Sequence, residues 1–240
     1  SLAEMGSLIV LCLYTKAKID KEKYGLKPVY DGQLLIKVLN LSVWSMLHAF
    51  ISVVPWFLFF VAIEHLGKTE LAISNITRSV SAIFFVIANS FAVTTGSLVS
   101  NAIGARARNE LFPICHKVLK LGYAVGIPFV VVALLCNRWI VSFYTDNELL
   151  IELAFAPFVV MLLNYTFALP GYVYLNAVGG TGKTKITFLF QVTTTCVYLV
   201  YLYWLSFCIK ASLSLYLTAE YLFVILLALQ SIIHLKSKHY

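Results

Sequence analysis

The sequence predicts an all-α membrane protein, a polytopic transmembrane helix bundle with six complete helices plus the end of a preceding one. Six apolar stretches, roughly 39–63, 73–100, 114–136, 152–176, 186–209 and 212–235, each reach the about 20 residues a helix needs to cross hydrocarbon. Strands would be shorter, and a closed barrel would show brief alternating segments instead. Composition agrees: 60% of residues are hydrophobic, 12% are charged and the mean hydropathy is +0.87, whereas soluble domains carry ~25% charged residues. The third observation is how the charges are sorted. Of the 18 Lys and Arg, all but Lys68, Arg78, Arg138 and Lys210 fall in the alternate segments 16–37, 106–120, 183–185 and 236–238. The intervening segments carry Glu64 and Glu70, then Asp146, Glu148 and Glu152, then Lys210 alone. Lys and Arg near helix ends are held on the cytoplasmic side, so the basic segments and the C-terminus are assigned to the cytoplasm of a cell (inner) membrane. The net charge of +7 then reflects topology and contact with anionic headgroups, not nucleic acid.

Residues 1–15 read as the end of a preceding transmembrane helix. Ser1–Tyr14 is too short to span, contains Glu4 and leads into lysines; a signal peptide would carry its positive charge before the apolar stretch. With no initiator Met, the chain reads as a piece of something longer. Residues 16–38 form a cytoplasmic linker with Gly25, Pro28 and Gly32 as breakers, and 33–41 an amphipathic lead-in at the interface. Residues 39–235 make the six-helix lobe and 236–240 a cytoplasmic tail. Between the third and fourth complete spans, Trp139, Phe143 and Tyr144 lie near charges, which suits a half-buried interfacial helix anchored by aromatics.

Lipid-facing surfaces can be uniformly apolar, so polar residues mark inward faces. One face of 39–63 carries Ser42, Ser45, His48, Ser52 and Pro55, and 73–100 carries Asn75, Arg78, Ala82, Asn89, Gly96 and Ser100. Span 152–176 offers Pro157, Asn164, Ala168 and Gly171; 186–209 offers Thr187, Gln191, Thr194, Thr195 and Tyr198; 212–235 offers Tyr216, Glu220 and Ser231. For the Ser, Ala and Gly positions the plain reading is close helix packing. The ionisable ones cost more: an uncompensated charge near the bilayer centre costs at least ~2.5–3.5 kcal/mol. Glu220, His48 and Arg78 on that ground, and the polar Asn164, Asn89 and Gln191 on inward faces, are the candidates for a substrate or cation pathway. The three ionisable ones have competing readings: Glu220 as a structural anchor or a protonated acid, Arg78 as a snorkelling side chain, His48 as a satisfied bundle histidine. Pro55, Pro128, Pro157 and Pro170 sit inside spans and supply kink points.

Several chemistries drop out. Ala177-Val-Gly-Gly-Thr-Gly-Lys-Thr184 nearly spells a phosphate-binding loop, but Ala177 stands where the pattern needs Gly, and a membrane helix where it needs a strand. No Ser/His/Asp, HExxH or paired-carboxylate arrangement argues for an enzyme. Cys12, Cys115, Cys136, Cys196 and Cys208 lie in or beside apolar runs without metal or disulfide spacing, and no cofactor or metal site is expected.

Thr95-Gly-Ser-Leu-Val-Ser-Asn-Ala-Ile-Gly-Ala105 followed by Arg106 and Arg108, Phe143-Tyr-Thr-Asp146, and Asn176-Ala-Val-Gly-Gly-Thr-Gly-Lys-Thr184 form an ordered set. With Gly67, Leu71-Ala-Ile-Ser-Asn75 and Leu217-Thr-Ala-Glu-Tyr221, the set resembles the multidrug and toxic compound extrusion (MATE) family over nearly the whole chain. The resemblance implies two six-helix lobes related by an axis along the membrane normal, with this chain similar to the C-terminal lobe and its inter-lobe linker. It implies a proton- or sodium-coupled antiporter exporting amphipathic, often cationic, compounds by alternating access. The partner is then a missing N-terminal lobe, covalently attached, or a second copy in a homodimer. Acidic cation-binding positions of some members match near Ser52 and Pro170 here, which cannot replace carboxylates, so Glu220 is the intramembrane acid left to consider. Trp56, Phe60, Phe85 and Tyr172 are candidates for cation–π contact. Two other readings stay open: a lipid-linked oligosaccharide flippase, which needs a strongly cationic cavity, and a non-transporting membrane half-protein.

Overall fold

The computed structural model describes residues 2–18, 30–209 and 211–237. The linker lysines Lys21, Lys23 and Lys27, the breakers Gly25 and Pro28, and Lys210 and Lys238 lie outside the described residues. Residues 1–40 and 41–240 form two units. In the first, α1 (Leu2–Lys18) places Glu4 in its first turn and Lys16 and Lys18 in its last, the arrangement a helix dipole favours.

Among the described residues there is no strand, and six helical segments are long and apolar enough to cross a membrane. They are α2 (Gly32–Glu64), α3 (Lys68–Gly104), α4 (Leu111–Leu135) with a short 3-10 turn before it, α6 with α7 (Glu148–Leu163, Tyr165–Gly180), α8 (Thr184–Trp204) and α9 (Leu213–Ser237). The short α5 (Asn137–Ser142) links α4 to α6. Its Trp139 packs edge-on against Phe143 at 4.6 Å, and both are exposed.

Helix ends follow local chemistry. Asp31 starts α2, its Oδ1 accepting from the amides of Gln33 and Leu34 at 2.9 and 3.1 Å. The stretch 33–41, read as an amphipathic lead-in, is helical and belongs to α2. Asn147 caps α6 in the same manner. α3 ends in a Schellman motif: the Ala107 amide donates to Ala102 and the Arg106 amide to Ile103, with Arg106 at φ 60°. The glycine-rich stretch that resembles a phosphate loop closes α7, turns at Gly182 (φ +81°) and opens α8 at Thr184.

α3 and α7 pair most extensively, α9 packs on α7, and α8 packs on α9. Small residues set these approaches. A Cβ on Gly180 would lie 2.5 Å from the Gly96 carbonyl oxygen, and one on Gly171 2.7 Å from that of Val224. Ser100 Oγ crosses the α3–α7 seam to the Gly180 carbonyl at 2.9 Å. Helices thus meet backbone to backbone, as expected where lipid removes the hydrophobic advantage of large side chains. Pro170 lacks the amide that would bond Thr166, and the Tyr123 hydroxyl of α4 donates to that carbonyl instead at 2.7 Å. In contrast, α2 is the least buried span, with 17% of its most apolar window inside the structure, and it meets the bundle chiefly through side chains.

Candidate functional site: a buried ion pair beside an aromatic ridge

Arg78 lies in the first half of α3, within a turn dense in buried positions (Ser74, Thr77, Val80). Glu220 lies two turns into α9. The α3–α7–α9 packing brings the two together: Arg78 Nη2 donates to Glu220 Oε1 at 2.5 Å, with side-chain exposures of 5% and 18%. The Tyr198 hydroxyl of α8 points at the same oxygen from 3.4 Å. Each charge therefore has its opposite, which is the condition for keeping either one inside a membrane protein.

The other side of the guanidinium meets α2. Its Cζ lies 3.9 Å from the ring centroid of Phe59, 5.3 Å from Phe60 and 5.7 Å from Trp56. Those rings sit at i, i+3 and i+4 and so share one helix face, and Trp56 and Phe60 pack edge-on at 5.1 Å. A second cationic contact holds the opposite half of α2, where Lys185 Nζ lies 5.2 Å from the Trp44 ring, itself against Phe188.

Between these contacts is an open groove of about 400 Å³, lined by Ser45 and His48 of α2, Gly96 and Ser100 of α3, Asn176 of α7 and Thr187 of α8, among others. The His48 Nε2 is buried there without a hydrogen-bond partner. Asn176 donates to the carbonyl of Tyr172, one turn along α7.

The candidate residues thus fall into separate places. Arg78 and Glu220 form one centre, and His48 lines the groove. Asn164 is buried where α6 passes into α7, its Oδ1 without a partner, and Gln191 is buried on α8. Asn89 is exposed on the surface of α3, although eleven residues from Arg78 returns nearly to the same helical face; the bundle covers that face at one level and leaves it open at the other. Ser52 is exposed, its hydroxyl returned to the Ala49 carbonyl, and Pro170 is half-buried. Sequence reasoning picked out Trp56 and Phe60 but not Phe59, the ring nearest the guanidinium. The Trp-x-x-Phe-Phe spacing was the available signal. Among the described residues no cluster of three His, Cys, Asp or Glu side chains stands ready for a metal.

Several solved structures share this fold. One described as MATE in the bent conformation matches with a TM-score of 0.72 at 17% identity, over 82% of this chain and 44% of that one. A MOP superfamily transporter from Pyrococcus furiosus, described as having a binding pocket of reverse polarity, matches at TM-score 0.69, with 17% identity over 82% and 43% of the two chains. An outward-facing multidrug resistance MATE family transporter matches with the same score, identity and coverage. The chain spans less than half the length of these proteins. No curated protein matches it. The MatE family model matches residues 45–205, more than half of the chain and short only of its last span, and the chain belongs to the MatE family.

Proposed function

We propose that this chain is one lobe of a cation-coupled antiporter, driven by protons or sodium, that exports amphipathic or cationic small molecules by alternating access. The observation that carries the reading is the Arg78–Glu220 pair, which joins α3 to α9 inside the membrane while the guanidinium rests on aromatic rings of the loosely held α2. A buried ion pair alone is weak evidence for stability, and its placement between a rigid core and a weakly packed helix suits an element with two arrangements. Trp56 and Phe85 are about half exposed on the outside of the lobe, where a second lobe would complete a cavity with aromatic walls. That lobe is either covalently continuous with this chain or supplied by a homodimer. The charge distribution supports a cytoplasmic linker and C-terminus. The flippase reading loses its main support, because Glu220 already neutralises the one guanidinium buried in a span.

Ethidium accumulation in cells, with and without the natural protein, tests the reading. Efflux that collapses when both the proton and sodium gradients are dissipated is the expected result. Efflux unaffected by either gradient, or none for ethidium and a panel of other organic cations, overturns it. A denatured mass near twice the 26.9 kDa of this chain supports the covalent second lobe; a mass near 26.9 kDa supports the homodimer.

A further inference from the structure

We propose that the groove between α2, α3, α7 and α8 binds uncharged organic compounds that donate several hydrogen bonds, such as a ring system bearing hydroxyl groups. This rests on the export reading above for its purpose, and adds to it a class of ligand that the ion pair does not serve.

The walls of the groove are polar, but most of their hydrogens are already committed. Ser45 donates to the Leu41 carbonyl of its own helix at 3.2 Å, and Thr187 to that of Thr184 at 2.7 Å. Thr184 reaches across to Leu41 of α2 at 3.3 Å, and Ser100 is divided between the carbonyls of Gly96 and Gly180, both at 2.9 Å. Asn176 gives an amide hydrogen to the Tyr172 carbonyl at 3.0 Å. A hydroxyl that has donated keeps its lone pairs, and a side-chain amide keeps its oxygen. What these groups still offer a ligand is chiefly acceptors. The partnerless Nε2 of His48 accepts or donates as its tautomer dictates, and Val93 and Leu175 add an apolar strip.

Charge argues against ions of either sign. No charged side chain is among the lining residues, so an organic cation meets no carboxylate. Lys185, whose Nζ stands over Trp44 at 5.2 Å, adjoins the lining residue Thr184 in sequence and repels a cation at the rim. An anion needs several donors, and those are spent. α7 ends at Gly180 and α8 starts at Thr184, so a carbonyl end and an amide end meet the groove together and their fields oppose. A neutral ligand rich in donors satisfies all of these conditions, and a volume of about 400 Å³ is in the range of small-molecule sites. A free hydroxylated compound and the sugar headgroup of a glycolipid share this chemistry.

The test uses the natural protein in lipid nanodiscs free of sugar-based detergent, with 4-methylumbelliferyl β-glucoside as the probe in equilibrium dialysis. The fully O-methylated glucoside keeps the skeleton and every acceptor but loses every donor, and should bind at least roughly tenfold more weakly. Thr187→Val removes one acceptor at nearly equal volume. Gly179→Ala narrows the groove without strain, since its Cβ would meet only Thr187 Cγ2 at 3.8 Å. Each should weaken glucoside binding by about five- to tenfold, whereas Ser90→Ala, on the exposed outside of α3, should not. Equal affinity for the glucoside and its ether, or unchanged affinity in both groove variants, overturns the proposal. No binding of the glucoside to a protein that exports ethidium overturns it while leaving the export reading intact. Ethidium efflux that ignores both gradients overturns that reading and leaves the binding result standing. Displacement of the probe by a glucosyl diacylglycerol built into the nanodisc supports the site and gives a lipid headgroup as the source; binding without such displacement supports a free compound.

Discussion

The guanidinium carbon of Arg78 lies 3.9 Å from the ring centroid of Phe59, and this contact ties α3 to the least buried helix of the lobe. Cation–π attraction is worth about 2 kcal/mol when the partners are desolvated. Phe59→Leu keeps most of the apolar volume but removes the π face. It should lower the melting temperature of the detergent-purified protein more than Phe57→Leu, because Phe57 is exposed on the same helix. Equal shifts for the two would deny the stack its role.

The repair of Pro170 makes a second prediction. Tyr123→Phe removes the hydroxyl that serves the Thr166 carbonyl and should destabilise the protein by about 1 kcal/mol, the net worth of an ordinary hydrogen bond. Pairing it with Pro170→Ala, which supplies a backbone amide, should shrink the loss. A double-mutant cycle on thermal stability reads this directly.

Gly171 admits no side chain without movement, since an added Cβ would lie 2.7 Å from the Val224 carbonyl oxygen and 3.2 Å from the Val224 Cβ. Gly171→Val should separate α7 from α9 and abolish the monodisperse peak in size-exclusion chromatography. Gly104→Ala, whose new Cβ meets nothing within 4 Å, is the control that should leave the profile unchanged.

Arg106 holds a left-handed backbone at the end of α3 with φ 60°. A residue with a Cβ gives up about 1–2 kcal/mol there, and glycine does not. Arg106→Gly should therefore raise the melting temperature. A fall would mean that the arginine side chain contributes more than its backbone costs.

Much of the architecture could be read from residues alone. The spans were legible because each must satisfy its own backbone bonds in lipid and so must be a long apolar helix. Boundaries were less so. The span beginning near residue 39 starts at Gly32, because Asp31 caps it and the helix runs through Lys37; a sliding hydropathy window stops at charge, whereas a helix does not. The candidate residues were legible by type, since Glu220 and Arg78 are ionisable groups where ionisable groups are expensive. Their pairing was not: they are 142 positions apart, and no local period connects them. Asn89 shows the converse, a polar residue on the right helical face that the bundle leaves exposed.

The sequence by itself determined that this chain carries six segments long and apolar enough to span a membrane, because solvent preference is a property of each segment and adds along the chain. It also pointed to the family through an ordered set of short motifs, and the family model matches over residues 45–205. Tertiary structure alone decided that Arg78 answers Glu220 and that Phe59 receives the guanidinium. It also decided that α2 rests on side chains while α3, α7 and α9 meet at glycines. These depend on which helix faces come together, and that is fixed by close packing between segments distant in the chain.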